Sequence, residues 1–206
     1  MFVKKAGLIA QQSTPTKTTR TSTLIPPLVI PSPTSQIRSF KPTVNTKFWP
    51  TYTNIPLGFS FLYDENKYTQ SWQGPGDPSE AKPNQTTGGF VFSLNIPPGE
   101  PDISIYYWPS INEIGAKGGY WSAYKYRNLI EYFTDSRSPK KKMGEFLIDG
   151  KKAYQMINTN PGINYQGLMI EHNGGIYEID FPQIRSTAST LTDTQRTILS
   201  TFKFTR

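Results

Sequence analysis

Residues 165–181 read YQGLMIEHNGGIYEIDF, and this stretch decides the class of fold. Apolar and polar side chains alternate along both of its halves, which is the two-residue period of a β-strand. Asn173-Gly174-Gly175 separates the halves and supplies residues typical of a tight hairpin turn. With a two-residue turn, one face of the hairpin carries Leu168, Ile170, His172, Tyr177, Ile179 and Phe181. This apolar face requires a covering layer.

The same signals recur upstream of this hairpin. A second hairpin is predicted where residues 145–148 and 152–157 flank Asp149-Gly150, a pair suited to the positive φ angles of a type I′ turn. Alternating apolar residues predict further strands at 57–63, 90–96 and 103–108. The sequence thus predicts about six or seven strands joined mostly by hairpins.

Two stretches show helical spacing instead. Apolar residues three and four positions apart predict a helix over 126–134 and another beginning near Thr192 and ending near Phe202. Lys140-Lys141-Lys142 is interpreted as a solvated loop. The predicted fold class is α+β, with a central, mostly antiparallel sheet and helices packed on it.

The N-terminal segment has a different composition from the rest of the chain. Residues 1–47 contain seven Lys and Arg and no acid, whereas residues 48–206 contain 15 basic and 15 acidic residues. The segment is rich in Thr, Ser and Pro and holds only two of the 28 aromatic residues, so it has little apolar surface to bury. We predict a disordered basic tail or stalk over 1–47 and one folded domain over 48–206.

The composition excludes several chemistries. The chain has no Cys and one His, which removes disulfides, thiolate nucleophiles and Cys-ligated metals. The apolar run at residues 6–10 is shorter than a signal-peptide core or a membrane span. A membrane tether is therefore expected only if the N-terminus is truncated.

Three short stretches carry a resemblance to a known family. They are Trp49, Tyr52, Asn54, residues 58–61 (GFSF) and Tyr63 near the start; residues 150–154 (GKKAY) in the middle; and residues 198–204 (ILSTFKF) at the end. In these stretches residues 48–206 resemble PsbP-like domains, the extrinsic photosystem subunit family and its broader bacterial relatives. The relatives with a stalk are the better match, because residues 1–47 do not look like a transit peptide followed by the photosystem subunit's binding arm.

The resemblance implies an α/β/α-type sandwich on an exported or membrane-tethered protein, which gives an extracytoplasmic or cell-surface location. It also implies a domain without an assigned reaction. Metal-binding and photosystem-binding residues are not carried over from the family.

Aromatic residues are the first candidate site. Tyr106, Trp108, Trp121 and Tyr124 would form a platform for a carbohydrate or peptide ligand if their rings shared one surface, because flat rings lose little rotamer entropy on contact. Packing within the core is the alternative interpretation of the same rings.

A carboxylate pair is the second candidate site. If the hairpin turn is centred on Gly174-Gly175, Glu171 faces Glu178 and the pair would bind Ca²⁺ weakly through oxygen ligands. If the turn is centred on Asn173-Gly174, Glu171 opposes Ile176 and no pair forms. No other cofactor is expected.

The leading functional hypothesis is a non-catalytic domain that binds an unknown protein or carbohydrate. A carboxylate-based hydrolase acting on surface polysaccharide is the alternative, since two acids suffice for that chemistry. A third hypothesis is that the basic tail binds an anionic surface; nucleic acid is a less expected partner, because phosphate binding needs a denser Lys/Arg cluster.

Overall fold

The computed structural model describes residues 37–71, 89–114, 125–162, 164–187 and 190–205. The chain divides into two units, Met1–Ser35 and Gln36–Arg206, and every described residue belongs to the second unit. Within these ranges, no helix has the length and apolar character needed to cross a membrane.

The described residues form eleven strands, two α-helices and one short 3-10 helix. The strands are β1 (Arg38–Ser39), β2 (Thr51–Asn54), β3 (Phe59–Leu62), β4 (Thr69–Ser71), β5 (Gly89–Ile96), β6 (Glu100–Trp108), β7 (Lys140–Ile148), β8 (Lys151–Asn158), β9 (Tyr165–His172), β10 (Gly175–Phe181) and β11 (Lys203–Phe204). The helices are a 3-10 helix (Ile111–Glu113), α1 (Leu129–Thr134) and α2 (Asp193–Thr201).

The strands form two sheets. The large sheet has eight strands in the order β1-β7-β8-β9-β10-β6-β5-β4, and the small sheet has three in the order β11-β3-β2. The pairing of β1 with β7 is parallel and the other pairings are antiparallel, so the large sheet is mixed.

Both predicted hairpins are confirmed. Asp149 and Gly150 join β7 to β8 with φ angles of 48° and 71°, and Asn173 and Gly174 join β9 to β10 with φ angles of 49° and 80°. Consecutive positive φ angles are the signature of the type I′ turn, whose twist matches that of the strands. The resulting register places the predicted apolar residues of β9 and β10 on one face of the sheet.

That face, which we call the first face, packs against the small sheet and α2. Tyr52 of β2 stacks on Phe92 of β5 with ring centroids 4.1 Å apart, and Phe59 of β3 meets Tyr177 of β10 edge-on at 6.0 Å. Phe202, just after α2, stacks on Phe59 at 5.3 Å. An aromatic core therefore joins the two sheets.

The opposite face of the large sheet, the second face, packs against α1 and the 3-10 helix. Leu129 and Phe133 of α1 are buried in one cluster with Met156, Met169 and Ile176 of the sheet. The helix is shorter than predicted and begins after Asn128, whose side chain accepts a hydrogen bond from the Glu131 backbone N–H.

The predicted fold class is wrong. Strands account for 46% of the described residues and helices for 13%, and the described chain has two α-helices beside a large mixed sheet rather than a helix layer packed on a central sheet. The layer over the first face is made mainly by β2, β3 and β11, with α2 at their side. The described part of the chain is therefore mostly β, because several short segments without a strong local signal pair as strands.

Part of the predicted tail packs on the folded body. Strand β1 pairs with Phe146 and Leu147 of β7, and the ring of Phe40 stacks on that of Phe146 with centroids 4.7 Å apart. Further on, the Thr43 backbone N–H donates to the buried hydroxyl of Thr197 in α2 at 2.9 Å. Residues 37–47 thus belong to the packed chain, and residues 1–36 lie outside the described residues.

Candidate ligand-binding face

Charged side chains are buried on the second face of the large sheet. Glu178 and Asp180 lie two residues apart on β10 and therefore point to the same face. Lys140 comes from the start of β7 and Tyr165 from the start of β9. Glu178 is 1%, Asp180 3% and Lys140 7% exposed. We call these four residues the buried charge cluster.

Glu178 is the centre of the cluster and accepts three hydrogen bonds. The Lys140 ammonium and the Tyr165 hydroxyl both donate to its Oε1, the hydroxyl at 3.4 Å. The indole Nε1 of Trp108 donates to Oε2 at 3.0 Å. Burying a carboxyl group without partners would cost several kcal/mol, so these three donors compensate for the burial of Glu178.

Asp180 is less well satisfied. Its Oδ1 atom is fully buried and has no hydrogen-bond partner among the described residues. The same oxygen faces Gly167 on the neighbouring strand β9, where an added Cβ would lie 2.6 Å from it. Glycine at this position therefore makes room for the carboxyl group, while the Lys140 ammonium and the Tyr165 hydroxyl offset only part of the cost of a charge on Asp180.

The proton balance of the cluster follows from this packing. Burial and the nearby charge of Glu178 raise the pKa of Asp180 well above its ordinary value. Burial by itself would lower the pKa of Lys140, but Glu178 and Asp180 raise it above the ordinary value of a lysine. In the folded protein both Asp180 and Lys140 thus hold their protons more tightly than the same groups do in water.

We expect Asp180→Asn to change how stability depends on pH. A carboxyl group with a raised pKa in the folded state contributes stability that is fully present below its unfolded-state pKa of 3.8. That contribution is lost as pH rises from there through the folded-state pKa, because only the folded protein still holds the proton. As pH rises above about 4, the unfolding free energy of the wild type should therefore fall relative to that of Asp180→Asn.

Urea unfolding of both proteins from pH 4 upward measures this difference. Curves that stay parallel between about pH 4 and pH 7 would show that Asp180 is ionised in the folded protein.

Tyr106 and Trp108 of β6 lie beside the cluster. Their ring planes are 3° from parallel, with centroids 6.4 Å apart, and both side chains are half-buried. Tyr106 is directly opposite Glu178 on β10. Burial, Asp180 and Glu178 raise the pKa of Tyr106 to about 12, so its hydroxyl stays protonated at neutral pH. We call these two residues the aromatic pair.

The other two predicted platform residues cannot be placed on this surface. Trp121 and Tyr124 lie outside the described residues, so their part in a platform stays a prediction. The structure therefore brings together Tyr106, Trp108 and Glu178 of the predicted site residues.

Glu171 and Glu178 do not face each other. Because the turn is formed by Asn173 and Gly174, Glu171 is opposite Ile176, which is the register without a pair. Glu171 Oε1 instead accepts the backbone N–H of Leu129 at the start of α1, at 2.7 Å. Within the described ranges, no three His, Asp or Glu residues are grouped so that they could hold a metal ion. The Ca²⁺ site stays a prediction.

The acids that do converge are Glu178 and Asp180, a pair that the sequence analysis did not select. Both are more than nine-tenths buried, and Glu178 forms an ion pair with Lys140. His172 lies on the first face, with its ring centroid 4.4 Å from that of Phe204. The buried charge cluster thus presents neither an exposed acid pair nor an imidazole beside one.

Lys140 was not predicted as a site residue. It stood in a run of three lysines that was interpreted as a solvated loop, whereas β7 begins at Lys140 and its side chain is buried. The available signal was the alternation of Glu178 and Asp180 with Tyr177 and Ile179, which placed two acids on one face. Nothing local showed that this face would be covered.

Comparisons with known proteins add a likeness in fold. No family model matches the chain, and no curated protein matches it. Among solved structures, the chain is similar to the solution structure of cyanobacterial PsbP (CyanoP) from Synechocystis sp. PCC 6803, with 14% identity and a TM-score of 0.38. The match covers 75% of this chain and 91% of that one. This likeness concerns a PsbP-like fold alone and does not establish that the chain belongs to the family.

Proposed function

We propose that the chain is a non-catalytic domain that binds a carbohydrate ligand on the aromatic pair, Tyr106 and Trp108. The observation that carries the proposal is the near-parallel arrangement of these half-buried rings on one strand face. Tyr and Trp combine a flat apolar face with a polar tip, so they contact a sugar ring with little loss of side-chain entropy.

The buried charge cluster supports the proposal because it holds Trp108 of the aromatic pair in place. The Trp108 indole is fixed by its hydrogen bond to Glu178, and Glu178 is fixed by Lys140. A buried ion pair is a weak source of stability compared with apolar side chains of similar volume. Orienting the ring of Trp108 before the ligand binds would explain why Lys140 and Glu178 are buried despite the cost of desolvating them.

The proposal extends to location. We place the domain outside the cytoplasm, on the basis of the sequence resemblance to PsbP-like domains, which are usually exported. Residues 1–36 would act as its stalk, since they contain four Lys and Arg residues and no acid, a composition that favours a solvated segment.

The proposal is tested by measuring binding to a panel of oligosaccharides by calorimetry. We expect Trp108→Ala to weaken binding about tenfold, while Trp108→Phe, which keeps a ring and loses only the N–H donor, has a smaller effect. Ile55→Ala is the matched control, because Ile55 is 69% exposed and lies in the turn that follows β2. Each variant is checked for unchanged unfolding before affinities are compared.

Two results would count against this function. Wild-type protein that binds no member of the panel, or that binds equally well with Trp108→Ala, excludes the aromatic pair as a sugar site. Release of reducing ends from a polysaccharide, abolished by Glu178→Gln, would favour the hydrolase instead.

A further inference from the structure

A surface cavity of about 230 Å³ lies where the residues before β2 meet the turn between β3 and β4. Its lining combines two aromatic rings, two acids and two amides: Asn45, Phe48, Trp49, Asp64, Glu65 and Asn66. None of these residues belongs to the buried charge cluster or to the aromatic pair. We call it the Phe48 cavity.

The backbone on both sides of the cavity is held by hydrogen bonds. The Tyr63 N–H donates to the Pro50 carbonyl at 3.2 Å and ties the two segments together. On the β3–β4 side, Asp64 Oδ1 accepts the backbone N–H of Asn66 at 3.1 Å. The cavity walls are therefore formed before any ligand binds.

Phe48 leaves most of its ring in solvent. Its exposure is 80%, the largest among the exposed large hydrophobic residues of the described chain. The Lys47 ammonium lies 5.3 Å from the centre of this ring. The face of an aromatic ring attracts cations, and here a cation of the chain itself already occupies such a position.

The two acids of the cavity supply negative charge that complements a cation on the Phe48 ring. Neither Asp64 nor Glu65 takes part in an ion pair with any residue that the structure describes. The cavity thus presents two carboxylates beside an open aromatic face, the combination that binds organic cations.

We infer that the Phe48 cavity binds an arginine side chain of a partner peptide, with the guanidinium stacked on Phe48 and paired with Glu65. The volume is below the roughly 300–1,000 Å³ of pockets for whole small molecules, which favours a single side chain. A planar guanidinium both stacks on a ring and forms two parallel hydrogen bonds to a carboxylate, whereas a lysine ammonium does neither.

The experiment titrates three uncharged-end tripeptides, acetyl-Gly-Xaa-Gly-amide, into the full chain at low salt and follows binding by NMR. Xaa is arginine, its neutral isostere citrulline, or lysine. We expect the arginine peptide to bind about tenfold more tightly than the citrulline peptide and more tightly than the lysine peptide.

Three variants locate the binding. Phe48→Ala and Glu65→Gln are each expected to weaken the arginine peptide about five- to tenfold, because one removes the ring and the other the charge. Lys47→Met is expected to strengthen it about threefold, since the competing ammonium is gone. Asp64 is left unchanged because it holds the turn.

Several results would overturn the inference. Absent binding, equal binding of arginine and citrulline peptides, or unchanged affinity in Phe48→Ala overturns the inference. Weaker binding by Lys47→Met also overturns it, because removing a competing ammonium from the Phe48 ring should help a cationic side chain to bind there. The oligosaccharide experiment is unaffected by any of these results, since the aromatic pair is a separate set of residues.

Discussion

Lys140→Met is expected to lower the free energy of unfolding by about 3–5 kcal/mol, the usual result of removing one partner of a buried ion pair. Methionine fills a similar volume, so the loss reports the charge rather than a cavity. Glu178 would keep its hydrogen bonds from Tyr165 and Trp108 but lose its only described cation, with Asp180 close by. Urea unfolding at pH 7 measures the effect.

Lys142→Met on the same strand is the matched control. Lys142 pairs with Glu145, but the two side chains are 34% and 22% exposed, so water screens the pair and the expected loss is at most about 1 kcal/mol. A loss for Lys140→Met no larger than for Lys142→Met would contradict the buried ion pair.

A double variant separates charge from packing. Combining Lys140→Met with Glu178→Leu removes both charges, and it should be more stable than Lys140→Met alone because an apolar pair needs no compensation. The same variant loses the acceptor for the Trp108 indole. If the ion pair serves to orient Trp108, the double variant should therefore regain stability without regaining ligand affinity.

The hairpins could be predicted because their information is local. Asp149-Gly150 specifies both the turn and the register of the first hairpin, and alternation assigns each flanking side chain to a face. Asn173-Gly174-Gly175 specifies a turn but allows two centres, and the structure shows the one at Asn173-Gly174. The start of the last helix could be predicted for the same reason. Helix α2 begins after Thr192, whose capping box with Gln195 matches the predicted start.

The fold class could not be read in the same way. Strands such as β1 and β4 have two and three residues, too few to show a period, and they pair only because a neighbouring strand offers an edge. The covering of the first face by a small sheet depends on which distant segments meet. Propensity carries no information about such long-range pairing.

The site was found only in part for a related reason. Tyr106, Trp108 and Glu178 were selected for their chemistry, and their meeting on one face depends on the pairing of β6 with β10. Lys140 lies on β7, with two strands between it and the strand of Glu178. The buried charge cluster therefore becomes visible only once the order of strands is known.

Phe59→Ala is expected to cost about 3–5 kcal/mol, because the ring is fully buried and joins the two sheets. Its neighbours include Phe202 and Phe61, stacked on it with centroids at 5.3 and 6.3 Å, and Tyr177, edge-on at 6.0 Å. Truncation would leave a cavity between these rings, which cannot collapse without moving a strand of either sheet.

The matched control is Phe48→Ala, the same substitution at a ring that is 80% exposed, for which a change within about 0.5 kcal/mol is expected. Thermal unfolding of both variants beside the wild type gives the comparison. Similar losses for the two would mean that β3 contributes little to holding the small sheet on the first face. A large loss for Phe59→Ala alone, with a single cooperative transition, would show that the two sheets unfold as one unit around this ring.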